Sequence, residues 1–261
     1  MNNRRIFVRY RSAVCGSLIA LGMLGCGGQS DSNPSNDFTP ELPLFFLGNH
    51  ANTNHVRDDF SLYWNQLTPE FQGFWGQIEN VRGQYDWQHL DTLYGFAEQH
   101  SLPVKAHALI SQDLAPNWIY NLSSALLAEE IESWIRDYCA RYPNTPMINV
   151  VYNAMPEHIS TPVFANALGE DWVLQSFEWA RKYCPNSVLI LDDYALLDTD
   201  TDAFIEWATP IISSEFVDAI GVQAQALEDV SISVITDNLN KLATLGVPIY
   251  ISHWEIAEED D

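Results

Sequence analysis

The sequence predicts an α/β fold in which parallel strands curve into a barrel with helices outside. Three observations predict it. Short apolar runs alternate with helix-length amphipathic segments along nearly the whole chain. Helices placed between buried strands require those strands to pair in parallel. Seven such strands in one short chain fit a barrel better than an open sheet.

Each element has a local reason. The apolar run Leu42 to Leu47 reads as the first strand, Asp58 to Trp64 as a short helix and Gln66-Leu67-Thr68 as the second strand. Asp86 to His100 is helical in period, with Leu90, Leu93, Tyr94 and Ala97 on one face. Val104 to Ile110 is a strand, and a loop with Pro116 and Trp118 follows. Ser123 to Tyr142 is a long amphipathic helix opened by Ser123 or Ser124 as N-cap. Strands at Met147 to Tyr152, Ser187 to Leu191, Val217 to Gln223 and Pro248 to Ser252 then alternate with helices at Asp171 to Tyr183, Thr201 to Ile212 and Ser231 to Leu245.

The N-terminus reads as an export signal over residues 1–25. Arg4, Arg5, Arg9 and Arg11 precede an apolar run from Ala13 to Leu24, too short to span a bilayer. Met23-Leu24-Gly25-Cys26 is similar to a bacterial lipobox, so Cys26 is the expected lipidation site, with an ordinary secretory cleavage as the alternative. Residues 26–41 read as a polar tether, and 42–261 as the folded domain. The expected location is the cell envelope, held at a membrane surface by lipid. Four of the twelve Lys and Arg fall in the signal, leaving eight against thirty-five Asp and Glu, a net charge of −27. Such a surface repels nucleic acid and anionic headgroups and suits neutral ligands. Cys139 and Cys184 both end helix-like segments, which leaves open a disulfide or two buried thiols. No metal-type cysteine spacing is present, and no cofactor is implied.

Several ordered segments carry a resemblance. Trp64-Asn65-Gln66-Leu67-Thr68-Pro69-Glu70 is similar to x-N-x-V-T-P-E-N, Val104 to Ile110 to F-x-x-H-T-L-V-W, and Met147 to Val151 to I-D-V-V-N-E. Phe177-Glu178-Trp179-Ala180-Arg181 and Leu189 to Tyr194 are similar to F-x-x-A-R and L-x-x-N-D-Y. Val217 to Gln225 is similar to D-G-I-G-x-Q-x-H, and Ile251-Ser252-His253-Trp254-Glu255-Ile256 to I-[TS]-E-[LFY]-D-I. Together they resemble the xylanases of glycoside hydrolase family 10 from about residue 45 onward. That resemblance implies a TIM (β/α)8-type barrel with its site at the C-terminal ends of the strands. The chain supplies about seven βα units of it, so the barrel is expected to be incomplete, lacking the eighth strand.

Members of that family are retaining endo-1,4-β-xylanases, which use one Glu as nucleophile and one as acid/base. In this sequence His253 stands at the nucleophile's place, and strand alternation puts Ile249, Ile251, His253 and Glu255 on one face. Asn149 matches the family's Asp, so Asn153 falls at the acid/base place, or Ala154 under a one-residue shift. By the resemblance, Glu70, His107 and Gln223 are substrate contacts. Phe71 and Phe74 replace the polar contacts that follow Glu70, Ser111 replaces a Trp and Gln225 replaces a His.

The expected function is therefore a pseudoenzyme that binds plant-type polysaccharide or xylo-oligosaccharide. Two alternatives stand beside it. Glu157 and Glu255 could form a relocated acid and base, or His107, His158, His253 and Glu255 could converge on a metal. Phe71, Phe74, Trp75, Trp118, Tyr194 and Trp254 fall near strand ends, where aromatic faces can stack on sugar rings, although most aromatics in such a chain are core. His50 and His55 read as loop hydrogen-bonders. An unclosed barrel exposes strand edges, which the acidic tail or a protein partner would cover.

Overall fold

The structure is a computed structural model, and it describes residues 45–51 and 55–255. The expected signal, Cys26, the tether and residues 42–44 lie outside the described residues.

Among the described residues seven parallel strands form the frame: β1 (Gly48–Ala51), β2 (Gln66–Pro69), β3 (Lys105–Ala106), β4 (Met147–Tyr152), β5 (Val188–Asp193), β6 (Ala219–Ala224) and β7 (Ile249–Trp254). β1 pairs with β2, and β3 to β7 form a five-stranded sheet in sequence order. A bridge between Leu67 and Val104 joins the two sheets. No pair links β7 back to β1 among the described residues, so the curved sheet is an incomplete barrel. Helices α1 (Phe60–Tyr63), α2 (Trp75–Ile78), α3 (Gln88–Gln99), α4 (Ser124–Arg141), α5 (Val163–Leu168), α6 (Trp172–Tyr183), α7 (Thr201–Ile212) and α8 (Ile232–Leu242) lie between the strands in sequence.

The expected elements recur with few changes, and β4 and α7 carry the residues expected. Ser123 is the N-cap of α4, its hydroxyl accepting the Leu126 N–H at 3.4 Å, a contact worth about 1 kcal/mol. The first strand is a correction. Phe45 and Leu47 are exposed, and the strand begins at Gly48, where the backbone meets Gln66 in register. Asn65 explains the shift. Its side chain accepts the Leu47 N–H at 2.6 Å and its own N–H donates to the Leu47 carbonyl, so residue 47 is held before the ladder starts. β3 is shorter than expected. Its pairing stops after Ala106 and resumes in the bridge between Ile110 and Val151.

The main core lies between sheet and helices. Ile148, Val150, Leu189, Leu191, Ile220 and Val222 pack there against Trp134, Ile135, Phe177 and Phe204. A smaller cluster of Met147, Ile190 and Ala219, with Phe46 and Tyr250 against it, fills the concave side. Cys139 and Cys184 form a disulfide with Cα atoms 5.4 Å apart, tying the end of α4 to the end of α6. That resolves the choice between bridge and free thiols.

Candidate functional site

Two irregularities decide which side chains reach the concave face. In β4 the register with β5 slips between Asn149 and Val151, leaving Val150 as the extra residue. Asn149 and Tyr152 therefore both face inward, while Ile148 and Val151 join the outer core. In β7 the slip falls between Val222 and Gln223, leaving Ser252 extra. Tyr250 and His253 face inward, and Ile249 packs outward. The strict alternation expected for Ile249, Ile251 and His253 is thus corrected: the bulge, not simple parity, turns His253 toward the centre.

Asp192 is the hub of the site. It is fully buried, with Oδ1 accepting from Gln223 Nε2 at 2.8 Å and Oδ2 from Asn149 Nδ2 at 3.1 Å. Asn149 Nδ2 also donates to His107 Nδ1 at 3.0 Å, and Gln223 Nε2 donates to Asn153 Oδ1 at 2.9 Å. Gly221 makes this possible, because a Cβ there would stand 2.2 Å from Asp192 Oδ2. One amide and carboxyl chain therefore runs from Asn153 to His107, whose ring meets that of His253 edge to face at 4.9 Å. Phe74 and Tyr152 pack on the same His107 ring at 5.2 and 4.6 Å.

The electrostatics keep both imidazoles neutral. Burial lowers the pKa of His107 well below the ordinary value, and nearby Lys105 and His253 lower it further. Because His107 Nδ1 accepts the amide hydrogen of Asn149, its own proton sits on Nε2. Burial also lowers His253, against the attraction of Asp192. Buried Lys105 donates to the Ser252 carbonyl at 2.9 Å, and its pKa is lowered by burial and partly restored by Asp192. Glu70 faces His50, with 3.8 Å between carboxylate and imidazole. Glu70 Oε2, Asn149 Oδ1 and His253 Nδ1 are buried with no hydrogen-bond partner.

The other candidates separate into those at the site and those away from it. Ala154 packs in the outer core and donates its N–H to Asp193 at 2.8 Å, so Asn153 is the residue that reaches the centre. Phe71 is half exposed and Gln225 is partly exposed. Trp75 is core: it stacks on Trp134 and its indole N–H bonds Glu79 at 2.7 Å, so it presents no face to a ligand. Phe74 is likewise buried, as filling around His107. Trp254 is exposed but pairs beside Ala224, on the outer side of β7. Glu157 lies exposed in the short turn Pro156–His158, and Glu255 lies exposed after β7. Neither has a bond to the Asp192 network. The metal alternative is also corrected. His158 is taken up by Asp193 and Asp200, and no group of three His, Cys, Asp or Glu set to hold a metal occurs among the described residues.

Sequence reasoning missed Asp192, Lys105 and Tyr152. The signal for Asp192 was present, since it stands where L-x-x-N-D-Y has Asn, while Asn149 stands where I-D-V-V-N-E has Asp. By that resemblance, carboxyl and amide stand exchanged across one hydrogen bond. Tyr152 could not be found from the sequence alone, because only the bulge turns it inward.

A curved parallel sheet whose polar residues gather toward the C-terminal ends of its strands is the arrangement of a TIM-barrel-type site. Comparison with known proteins narrows this. The Glycosyl hydrolase family 10 model matches residues 46–261, and the chain belongs to that family. It is 42% identical over 217 residues to endo-1,4-beta-xylanase B of Cellvibrio japonicus, a match covering 83% of this chain and 36% of that protein. It is 24% identical over 216 residues to a beta-1,4-xylanase of Dictyoglomus thermophilum, covering 80% of this chain and 61% of that one. The chain thus spans less than two thirds of the length of these relatives. Among solved structures, xylanase XynB of Paenibacillus barcinonensis, complexed with a conduramine derivative, superposes with a TM-score of 0.76. That match has 19% identity and covers 81% of this chain and 69% of the other. An endo-1,4-beta-xylanase of Caldicellulosiruptor owensensis gives 0.75 at 21% identity, covering 83% and 72%. These likenesses show the fold.

Proposed function

We propose that this family 10 chain binds xylan-type polysaccharide or xylo-oligosaccharide at the concave face and does not carry out retaining hydrolysis. The observation that supports it most is the bond from Gln223 to Asn153. An amide whose oxygen is already occupied stands where an acid would be needed, and an amide has no proton to give near neutral pH. Retaining chemistry needs two carboxyl groups about 5–5.5 Å apart. Here the carboxyl in the network, Asp192, has both oxygens taken by amide donors. His253 replaces the second group and is neutral. Against this, the unpartnered polar atoms of Glu70, Asn149 and His253 are costly unless met, about 1–3 kcal/mol each. A sugar hydroxyl can donate to the Glu70 and Asn149 oxygens and can donate to or accept from His253 Nδ1, and half-exposed Phe71 offers an aromatic face beside Glu70.

The same reading puts the domain outside the cell, tethered by a lipid on Cys26, with a protein partner over the exposed outer side of β7 at Ile251 and Trp254. The test of the central reading is calorimetry with xylo-oligosaccharides, run beside hydrolysis of xylan and aryl β-xylosides. The parent is compared with His253→Glu, Asn153→Glu and the double variant. Binding without turnover by the parent is expected. Hydrolysis by the parent overturns the non-catalytic half of the reading, and absence of binding overturns the other half.

A further inference from the structure

Outside the Asp192 network the structure holds a second buried charged cluster. His158 is 4% exposed at its side chain, with Nδ1 2.6 Å from Asp193 Oδ1 and Nε2 3.0 Å from Asp200 Oδ2. Its ring lies flat on Tyr194, centroids 3.8 Å apart. We propose that His158 is a positioning residue: as an imidazolium bonded at both nitrogens, it locks the turn after β4 and so sets where Asn153 stands at the barrel mouth.

The charge state follows from the partners. An ionised carboxylate can only accept, so each ring nitrogen facing one must carry a hydrogen. With both facing carboxylates, the ring is a cation. The groups around it are Asp193 from the end of β5, Asp200 at the N-cap of α7 and the Tyr194 ring, with exposed Glu157 next to it in its own turn. Burial by itself favours the neutral ring, but the two carboxylates outweigh it and raise its pKa above the ordinary value. Asp200 makes no side-chain bond to the start of α7, leaving the capping contact unmade while it holds His158.

The link to the site runs through Asp193, which is fully buried. Its Oδ2 accepts the N–H groups of Ala154 and Met155 at 2.8 and 2.9 Å, and its Oδ1 accepts that of Tyr194. Those two amides directly follow Asn153, whose φ of 54° is the left-handed region that an Asn tolerates but does not prefer. One ring therefore ties together the β4 turn, the end of β5 and the start of α7. The sign is definite. A pKa raised in the folded state gives stability that is full below the ordinary value of 6.5 and lost as pH rises through the folded pKa. Above it, a bare ring nitrogen faces a carboxylate, and the turn that carries Asn153 loosens.

The test is NMR of the whole chain, following the ring nitrogens of His158 together with the amides of Ala154 and Met155 and the side-chain amide of Asn153 against pH. The ring is assigned through His158→Gln or, should that variant not fold, through its contact with Tyr194. At pH 7 both ring nitrogens are expected to be protonated, and the three amide signals should shift with the same midpoint as the ring. Asp200→Asn keeps an acceptor but removes a charge, so both midpoints should move to lower pH together. A neutral ring at pH 7 overturns the proposal. So do amide signals that stay put when the ring's midpoint moves, since a merely structural contact gives that result. None of these readouts depends on a sugar being bound.

Discussion

The exchange of carboxyl and amide between residues 149 and 192 can be tested by reversing it. Asn149→Asp alone puts two carboxylates across a contact that is now 3.1 Å. At an effective dielectric near 20 their repulsion is about 5 kcal/mol, and one of them takes up a proton to relieve it. A net loss on the order of 3 kcal/mol at pH 7 is expected. That penalty is full above the raised carboxyl pKa and fades as pH falls through it, because the protonated pair no longer repels. Asp192→Asn alone turns an amide nitrogen toward the donors of Asn149 and Gln223, so at least one charge-assisted bond is lost, costing about 1.5–3 kcal/mol. It also removes the charge that partly restores the pKa of Lys105. The double variant again has one carboxyl and one amide. The carboxylate now at position 149 accepts from the amide now at position 192, and His107 can donate to that carboxylate by moving its proton to Nδ1. A coupling of roughly 2–3 kcal/mol between the two changes is expected. Urea denaturation of the parent, both singles and the double at pH 7 and pH 5 measures it, with midpoints compared at constant slope. A double variant no more stable than the worse single would refute the idea that these two residues form one exchangeable unit.

Four further outcomes follow from the geometry. Gly221→Ala drives a methyl group to 2.2 Å from Asp192 Oδ2, backed by Cγ at 2.9 Å, and should cost about 1–3 kcal/mol in the same denaturation assay. Replacing Cys139 and Cys184 together by Ser opens a loop spanning 45 residues, and the chain-entropy argument sets the loss of stability at about 4 kcal/mol. A reduced parent should melt with that variant. Phe71→Ala should weaken xylo-oligosaccharide binding with little change in stability. Trp75→Ala should destabilise by roughly 3–5 kcal/mol, read by thermal melting.

Much of the frame was legible. Helices α4 and α7 could be read because their apolar residues recur at helical period, with Ser123 marking the start of α4, and strand β4 because it is a short, nearly continuous apolar run. The first strand was misplaced because hydrophobicity favoured Leu42 to Leu47, while backbone pairing with Gln66 and the clasp of Asn65 put the strand at the more polar Gly48–Ala51. The aromatics were harder. Trp75 and Phe71 look alike in sequence, yet one is sealed between two indoles and the other half exposed.

The sequence by itself determined the alternation of strands and helices, the acidic surface, the family, and the absence of Glu at residues 153 and 253. Only the tertiary structure decided which side chains meet. Alternation assigns faces only while register is unbroken, and one extra residue at Val150 and another at Ser252 turn Tyr152 and His253 inward. Asp192 became the hub because a glycine on the neighbouring strand left room for its carboxyl between two amides, a coincidence of three strands that no single stretch of sequence contains.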